Sequence, residues 1–536
     1  MRYIKGKKRW VTSGLIVLMA TLIGALLLTA CAPSDGNGGN GYEPPPRPWI
    51  VRYGYPTAGL GGSIGIDPET TTAGIVGIQT AESLHRVDPN THEVVPSLAA
   101  SWELAPDHSY IDYFIREGVM FHNGDIMTTE DVKFSWERCF DEDLVGGTAT
   151  VMKRFIDSVE IIGDDQVRVY IKEWTWSVLT SSPIIVPKYY IAVEGWEGWA
   201  DQPVLTGPFK IVDWERDVYV HYEKAFPEEG HWYYGIDIPN YDELIIYSVV
   251  EPSTRLAMMK AGELDAAHVP SANIPDVEDD PNLTVVMAEY SRCWNIIFWD
   301  MYHLESPSPF NDPDVRRAVS LAIDREGIAE NVYHGTYEPW GSYWSPNIIG
   351  YRYREPDPYD PDEARRLLEE AGYPDGFDTY FSYPLGEDVE SSAVIACLSE
   401  VGIRAEAQGY EPLTWGTMKW SAQHTGMGYL HIPWWGGSRY PDSVFGAEIY
   451  DFGGVVDIPG EEEIEDAFDQ LTNALTEEEL IEAAWAAEDV YFEVNYKIPV
   501  WAIHTAFAYG PTIENWDPSW PDDAMNQNLI TVQYKG

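Results

Sequence analysis

The chain is poor in positive charge. Over 536 residues, 34 Lys and Arg stand against 87 Asp and Glu, for a net charge of −53. Five of those bases (Arg2, Lys5, Lys7, Lys8, Arg9) fall within residues 1–30, which contain no acid, so the remainder sets 29 bases against all 87 acids. A surface this acidic repels phosphate backbones and excludes DNA or RNA as a general partner. Cysteine is scarce too: Cys31, Cys139, Cys293 and Cys397 lie far apart and form no Cys-x-x-Cys pair. That argues against a zinc site or a disulfide framework, and leaves the last three as expected buried free thiols. There is no His-Glu-x-x-His, and no phosphate-binding loop. Gly36–Gly41 fits a dinucleotide fingerprint but lacks a preceding strand and a following helix. Gly61–Gly65 fits a nucleophile elbow, again without its strand and helix. The aspartates of 276–280 and 357–362 lack the glycine and terminal Glu of an EF-hand. No catalytic residue, cofactor or metal is therefore expected, and a catalytic carboxylate pair among the 87 acids would leave no spacing signature.

What is present is a globular composition, 45% apolar and 23% charged, and a length that suits about three or four domains. Residues 1–30 read as an address: a basic start, then an apolar run from Val11 to Ala30. A run of that length also suits a membrane anchor helix. Its ending, Leu28-Thr29-Ala30-Cys31, resembles a bacterial lipobox, which implies cleavage before Cys31 and lipidation of its sulfur. The Gly/Asn/Pro tract that follows, through residue 48, reads as a flexible tether with a stiffer proline end. No later apolar run is long enough to cross a membrane.

Past the tether, helix and strand signals alternate, giving a mixed α/β class. Ser101–Leu104 and Tyr110–Arg116 read as paired strands, and Val167–Ile171 and Val218–Tyr222 alternate like half-buried ones. Thr128 to Asp131 has capping-box spacing ahead of a helix with Val132 and Trp136 on one face. Asp312-Pro313 and Asp360-Pro361 each place a cap before a first-turn proline. Val315, Val319, Ala322 and Ile323 follow the first pair, and Leu367, Leu368, Ala371 and the stop at Gly372 follow the second. A last long helix starts at Thr476 with Glu479 three residues on, and a strand is predicted from Ile498 to His504.

Aromatic residues are abundant: 22 Trp, 34 Tyr and 16 Phe. Most must pack in cores, yet flat rings also make good ligand walls. From Pro412 to Pro441 there is no Asp or Glu, while Trp415, Trp420, Tyr429, Trp434, Trp435, Arg439 and Tyr440 crowd the stretch. A buried interface between domains and a ligand wall both fit.

Several motifs together resemble the peptide/nickel family (family 5) of solute-binding proteins that serve ABC importers. They run from Glu82-Ser83-Leu84 and Val94–Glu103 through Arg116–Asp125 to Thr129–Val132. Thr206–Phe209, Ala261–Asp265, Pro309–Ala318, Ala322–Arg325 and Tyr359–Phe377 continue the match. The resemblance implies a two-lobed periplasmic-binding-protein fold of type II-like form, with an extra domain inserted in the first lobe. Residues 49–86, 200–303 and 495–536 would form lobe I, 87–199 the inserted domain, and 304–494 lobe II. It also implies a lipid-anchored monomer on the outer face of the membrane or in the periplasm, with an ABC permease and its ATPase as partners. Trp434, Trp435, Arg439 and Tyr440 would line the interlobe cleft, with Trp415 and Trp420 on the same wall.

Members that bind free peptides place an Asp before a proline turn to pair with the α-ammonium. Here the matching position is Gly437, and the only acid of the stretch, Asp442, follows the proline. A peptide held through backbone contacts is the first expectation. An oligosaccharide stacked on Trp434 and Trp435, and an anion met by Arg439, stay open. A secreted glycoside hydrolase is the alternative from a different class.

Overall fold

A computed structural model describes residues 48–535, except 57–79, 89–90, 92, 143, 145–146, 216, 234–237, 303–307, 334, 347, 412–413, 416–425, 434–439, 442–460, 496 and 519–528. Among the described residues the frame is an 11-stranded mixed sheet. Its order runs Ile403–Tyr410, Phe377–Pro384, Met427–Pro433, Thr284–Ile297, Lys497–Tyr509, Ala266–His268, Ile50–Tyr55, Glu243–Ser248, Tyr219–Lys224 and Phe209–Glu215; Tyr337–Pro339 pairs separately with Lys497–Tyr509. Parallel pairs occur in both halves, Ile50–Tyr55 with Glu243–Ser248 and Phe377–Pro384 with Ile403–Tyr410. The second pair is joined by the helix Asp388–Glu400, a strand-helix-strand crossover. A separate four-stranded antiparallel sheet is built from Ala99–Leu104, Tyr110–Ile115, Gln166–Ile171 and Ile156–Ile161.

Alternation along the strands explains why both faces of the large sheet are covered. Phe507 enters one core with Tyr53, Tyr222, Ile246 and Trp516. Its neighbours Ala506 and Ala508 enter the opposite core with Met259, Ile274 and Val277. Successive side chains of a strand point to opposite faces, so one strand serves two layers. The other half of the sheet buries Trp294, Phe381, Tyr429 and Trp501 in the largest core, with Trp294 edge-on to Trp501 at 5.2 Å.

The helix signals are realised through their caps. The Asp312 carboxylate accepts from the Asp314 N–H at 2.9 Å, and Asp360 accepts from Glu363 at 2.9 Å. Thr476 Oγ1 accepts from the Glu479 N–H at 3.2 Å, while the Glu479 carboxylate accepts from the Thr476 N–H. Each such cap is worth about 1 kcal/mol. Val315, Val319, Ala322 and Ile323 are buried as their spacing predicts, and Gly372 ends its helix at φ +94°. Ala371 is only half-buried. Cys139 and Cys293 are buried free thiols; Cys397, also free, is half-buried.

One strand departs from its predicted end. The segment expected to stop at His504 continues as a single strand from Lys497 to Tyr509. The polar pair His504-Thr505 marks a passage between cores, not a terminus. Its partner is the 14-residue strand Thr284–Ile297, and together they are the two longest strands. Their ladder keeps register from Thr284↔Tyr509 to Ala288↔Thr505, then resumes at Arg292↔Ile503. Four steps on one strand therefore oppose two on the other, a bulge that loosens the ladder and bends it. The two halves of the large sheet meet at this break.

Candidate ligand cleft

The register break lies where ligands gather in α/β sheets, beyond the carboxyl ends of parallel strands. Phe377–Pro384, Ile403–Tyr410 and Met427–Pro433 run parallel to one another, and Pro433 pairs with Arg292 at the break itself. Further bonds hold the two halves together there. The His504 N–H donates to the Thr336 carbonyl at 2.7 Å, and Thr336 Oγ1 lies 2.6 Å from Ser271 Oγ.

A wall of phenols and carboxylates stands at the same edge of the second half. The chain turns after Pro384 to place Glu387 just before the helix Asp388–Glu400, with Glu390 in its first turn. The Tyr429 hydroxyl donates to Glu387 at 3.4 Å, and the Tyr337 hydroxyl donates to Glu390 at 2.7 Å. Tyr333 stacks on Tyr337 with ring centroids 3.7 Å apart. Burial first, and then the negative field of Glu390 and Glu387, raise the Tyr333 phenol above its ordinary pKa. Tyr337 and Tyr429 thus act as donors to the two carboxylates.

The segment that follows the four-stranded sheet reaches the second half through a pair of tryptophans. Trp174 and Trp176 follow the strand Gln166–Ile171, and both indole N–H groups donate to the Ala474 carbonyl, at 3.3 and 2.9 Å. That carbonyl lies just past the helix Glu461–Asn473. Trp176 also packs on Tyr440 at 5.3 Å, and His108 lies against Trp174 at 4.2 Å. Two donors converging on one buried carbonyl form a clasp between the segment after the four-stranded sheet and the end of a helix about 300 residues away in sequence.

Of the residues expected to bind ligand, Tyr440 is buried within this clasp. Trp415 is buried edge-on to Trp299 at 5.9 Å and beside Tyr410 at 6.2 Å. Trp420, Trp434, Trp435 and Arg439 lie outside the described residues, as does Cys31. Sequence reasoning missed Trp174, Trp176 and the Glu387, Glu390, Tyr333 and Tyr337 group. Only the Trp174-Thr175-Trp176 pair, two indoles directly after a predicted strand, carried a local signal.

The model of the bacterial extracellular solute-binding proteins, family 5, matches residues 93–454. This chain belongs to that family. Among curated proteins it is 29% identical over 350 residues to heme-binding protein A of Haemophilus influenzae, an alignment covering 60% of this chain and 62% of that protein. It is 27% identical over 415 residues to di/tripeptide-binding protein 2 of Pseudomonas aeruginosa, covering 71% and 75%. The chain thus spans about three fifths of the first relative and three quarters of the second. In fold it is similar to the periplasmic binding protein DppA of Helicobacter pylori solved with the peptide STSA, with a TM-score of 0.76, 19% identity and coverage of 91% and 98%. NikA of Brucella suis, solved with Fe(III)-EDTA, gives a TM-score of 0.77 at 17% identity, covering 91% and 100%. The family's two-lobed α/β architecture is the one built here on the two long strands. No helix among the described residues is long and apolar enough to cross a membrane.

Proposed function

We propose that this family 5 protein captures a peptide between its two lobes and delivers it to an ABC permease, without catalysing a reaction. The observation that carries the reading is the pair of long strands, shared by both halves of the sheet and broken in register where the halves meet. Such a pair lets the lobes rotate as rigid bodies while a few backbone angles absorb the change. Relatives that include a di/tripeptide-binding protein support a peptide as the solute. Backbone contacts suit it, since no acid stands before Pro441 in residues 434–441 to pair with a peptide α-ammonium.

Closure is the signal. A solute that touches both lobes stabilises the closed form by its differential affinity for that form. The Trp174/Trp176 clasp adds contacts that exist only when the lobes are together, so the permease can select the loaded protein. Residues 87–199 act as an inserted domain beside a first lobe of 49–86, 200–303 and 495–536, with 304–494 as the second lobe. Lipidation at Cys31 holds the protein, as a monomer, at the outer face of the membrane, where two or more acyl chains give stable anchoring.

The test is a thermal-shift titration with di-, tri- and longer peptides beside a panel of oligosaccharides. A saturable rise with peptides alone is the expected result. A rise with sugars alone, or turnover of a chromogenic glycoside, contradicts the proposal.

A further inference from the structure

A separate cavity lies between residues 317–357 and the start of the strand Lys497–Tyr509. Lys497 pairs with Ile297 at one end of the long-strand ladder. The cavity beside it, of about 250 Å³, is lined by Arg317, Arg325, Arg354 and Lys497, with Glu355 and Asp357. Four cations against two acids give this cavity a surplus of positive charge, in a chain of net charge −53. A water occupies about 30 Å³ of liquid, so the space holds several waters or a small hydrated ion.

The charges are held in place. Arg325 is 3% exposed, and its terminal nitrogens donate to the carbonyls of Ser320, Asp357 and Pro499 and to Ser320 Oγ. Its Nε–H is buried with no acceptor. Arg317 meets Asp357 at 2.5 Å, while Arg354 lies over the Phe492 ring at 3.8 Å and 3.7 Å from Asp489, an acid outside the cavity lining. Lys497, also 3% exposed, sits over the Tyr343 ring at 3.8 Å. A buried donor without an acceptor is destabilising unless something fills the role.

We propose that this cavity binds a small tetrahedral oxyanion of the phosphate or sulfate kind. Guanidinium groups fixed on different elements present donors from several directions, and a tetrahedral anion offers an oxygen to each. Chloride has one small sphere of charge and cannot span them. The Arg325 guanidinium has its pKa lowered to about 10, chiefly by burial and secondarily by Arg317, with Asp357 opposing. The excess of cations over carboxylates around the cavity is what a bound anion balances. The bland role for Arg325, a strut joining three carbonyls, needs no anion and no selectivity between anions.

The experiment compares melting temperature in inorganic phosphate, sulfate and chloride at matched ionic strength. A site filled to about ten times its dissociation constant raises the midpoint by roughly 2 °C in phosphate or sulfate over chloride. Arg354→Glu, on a half-exposed side chain, abolishes the difference, and Lys497→Met weakens it at least tenfold in half-saturating phosphate. Arg404→Gln, which breaks a surface pair with Asp378 outside the cavity, leaves it unchanged. Equal midpoints in all three salts overturn the proposal. So does a phosphate effect that survives Arg354→Glu, even if Lys497→Met fails to fold.

Discussion

Removing the Trp176 indole donor separates a closing contact from simple core packing. The Trp176→Phe variant keeps an aromatic ring against Tyr440, at a centroid distance of 5.3 Å in the native protein, and deletes only the 2.9 Å bond to the Ala474 carbonyl. Trp174 still donates to that carbonyl at 3.3 Å, so no buried acceptor is orphaned and the loss is that of one ordinary hydrogen bond, about 1 kcal/mol. If the clasp forms only on closure, that energy is withdrawn from binding and Kd rises about fivefold. The double variant Trp174→Phe/Trp176→Phe leaves a buried carbonyl bare, costing roughly 2 kcal/mol, and Kd rises about thirtyfold. The assay is isothermal titration with the tightest peptide of the panel, paired with melting of the peptide-free protein. Weakened affinity with a nearly unchanged peptide-free midpoint is expected. Unchanged affinity with a lowered midpoint would refute the reasoning and return both tryptophans to the core.

Three further outcomes follow from the structure. Burial lowers the pKa of His85 to about 4, so the folded state keeps it neutral while the unfolded chain protonates near 6.5. Stability from this residue is complete above pH 6.5 and falls as pH drops toward 4. Urea unfolding should show the native protein losing roughly 2 kcal/mol more than His85→Gln between pH 7 and 5; parallel losses would contradict this. Gly376 sits at φ +70°, and a Cβ there would lie 1.9 Å from the Gly402 carbonyl oxygen. Gly376→Ala should therefore cost about 2 kcal/mol or more in denaturant melts, and a near-native midpoint would show that this turn can move. Cys31→Ser should abolish acylation of the mature N-terminus, read by intact mass; a lipid-modified variant would place the anchor elsewhere.

Local devices were legible because their physics is local. Asp312-Pro313, Asp360-Pro361 and the Thr476/Glu479 box need only three or four residues to cap a helix, and each does so. The motifs from Glu82 to Phe377 pointed to the family that the comparison shows. The continuation of a strand through His504 was illegible, because a polar pair in sequence looks the same at a strand end and at a crossing between cores. The clasp joins residues 298 and 300 positions apart, and no window on either side encodes the other. The cationic cavity gathers Arg317, Arg354 and Lys497 from three distant segments of an acidic chain. Each of those bases, read alone, looks like an ordinary surface charge. Of the predicted ligand wall, Tyr440 and Trp415 have a described place, both of them buried, and the remaining four await a direct binding test.

The most direct measurement is native mass spectrometry of the protein released from its own membrane under mild extraction. Capture of a peptide in the cleft predicts one additional mass per chain, which fragments to amino-acid residues and is lost on partial unfolding. The Trp435→Ala variant should carry less of it at an unchanged melting temperature. A hexose-spaced mass, or a fully occupied peptide adduct on Trp435→Ala together with a collapsed melting temperature, would contradict the peptide assignment or the binding wall respectively.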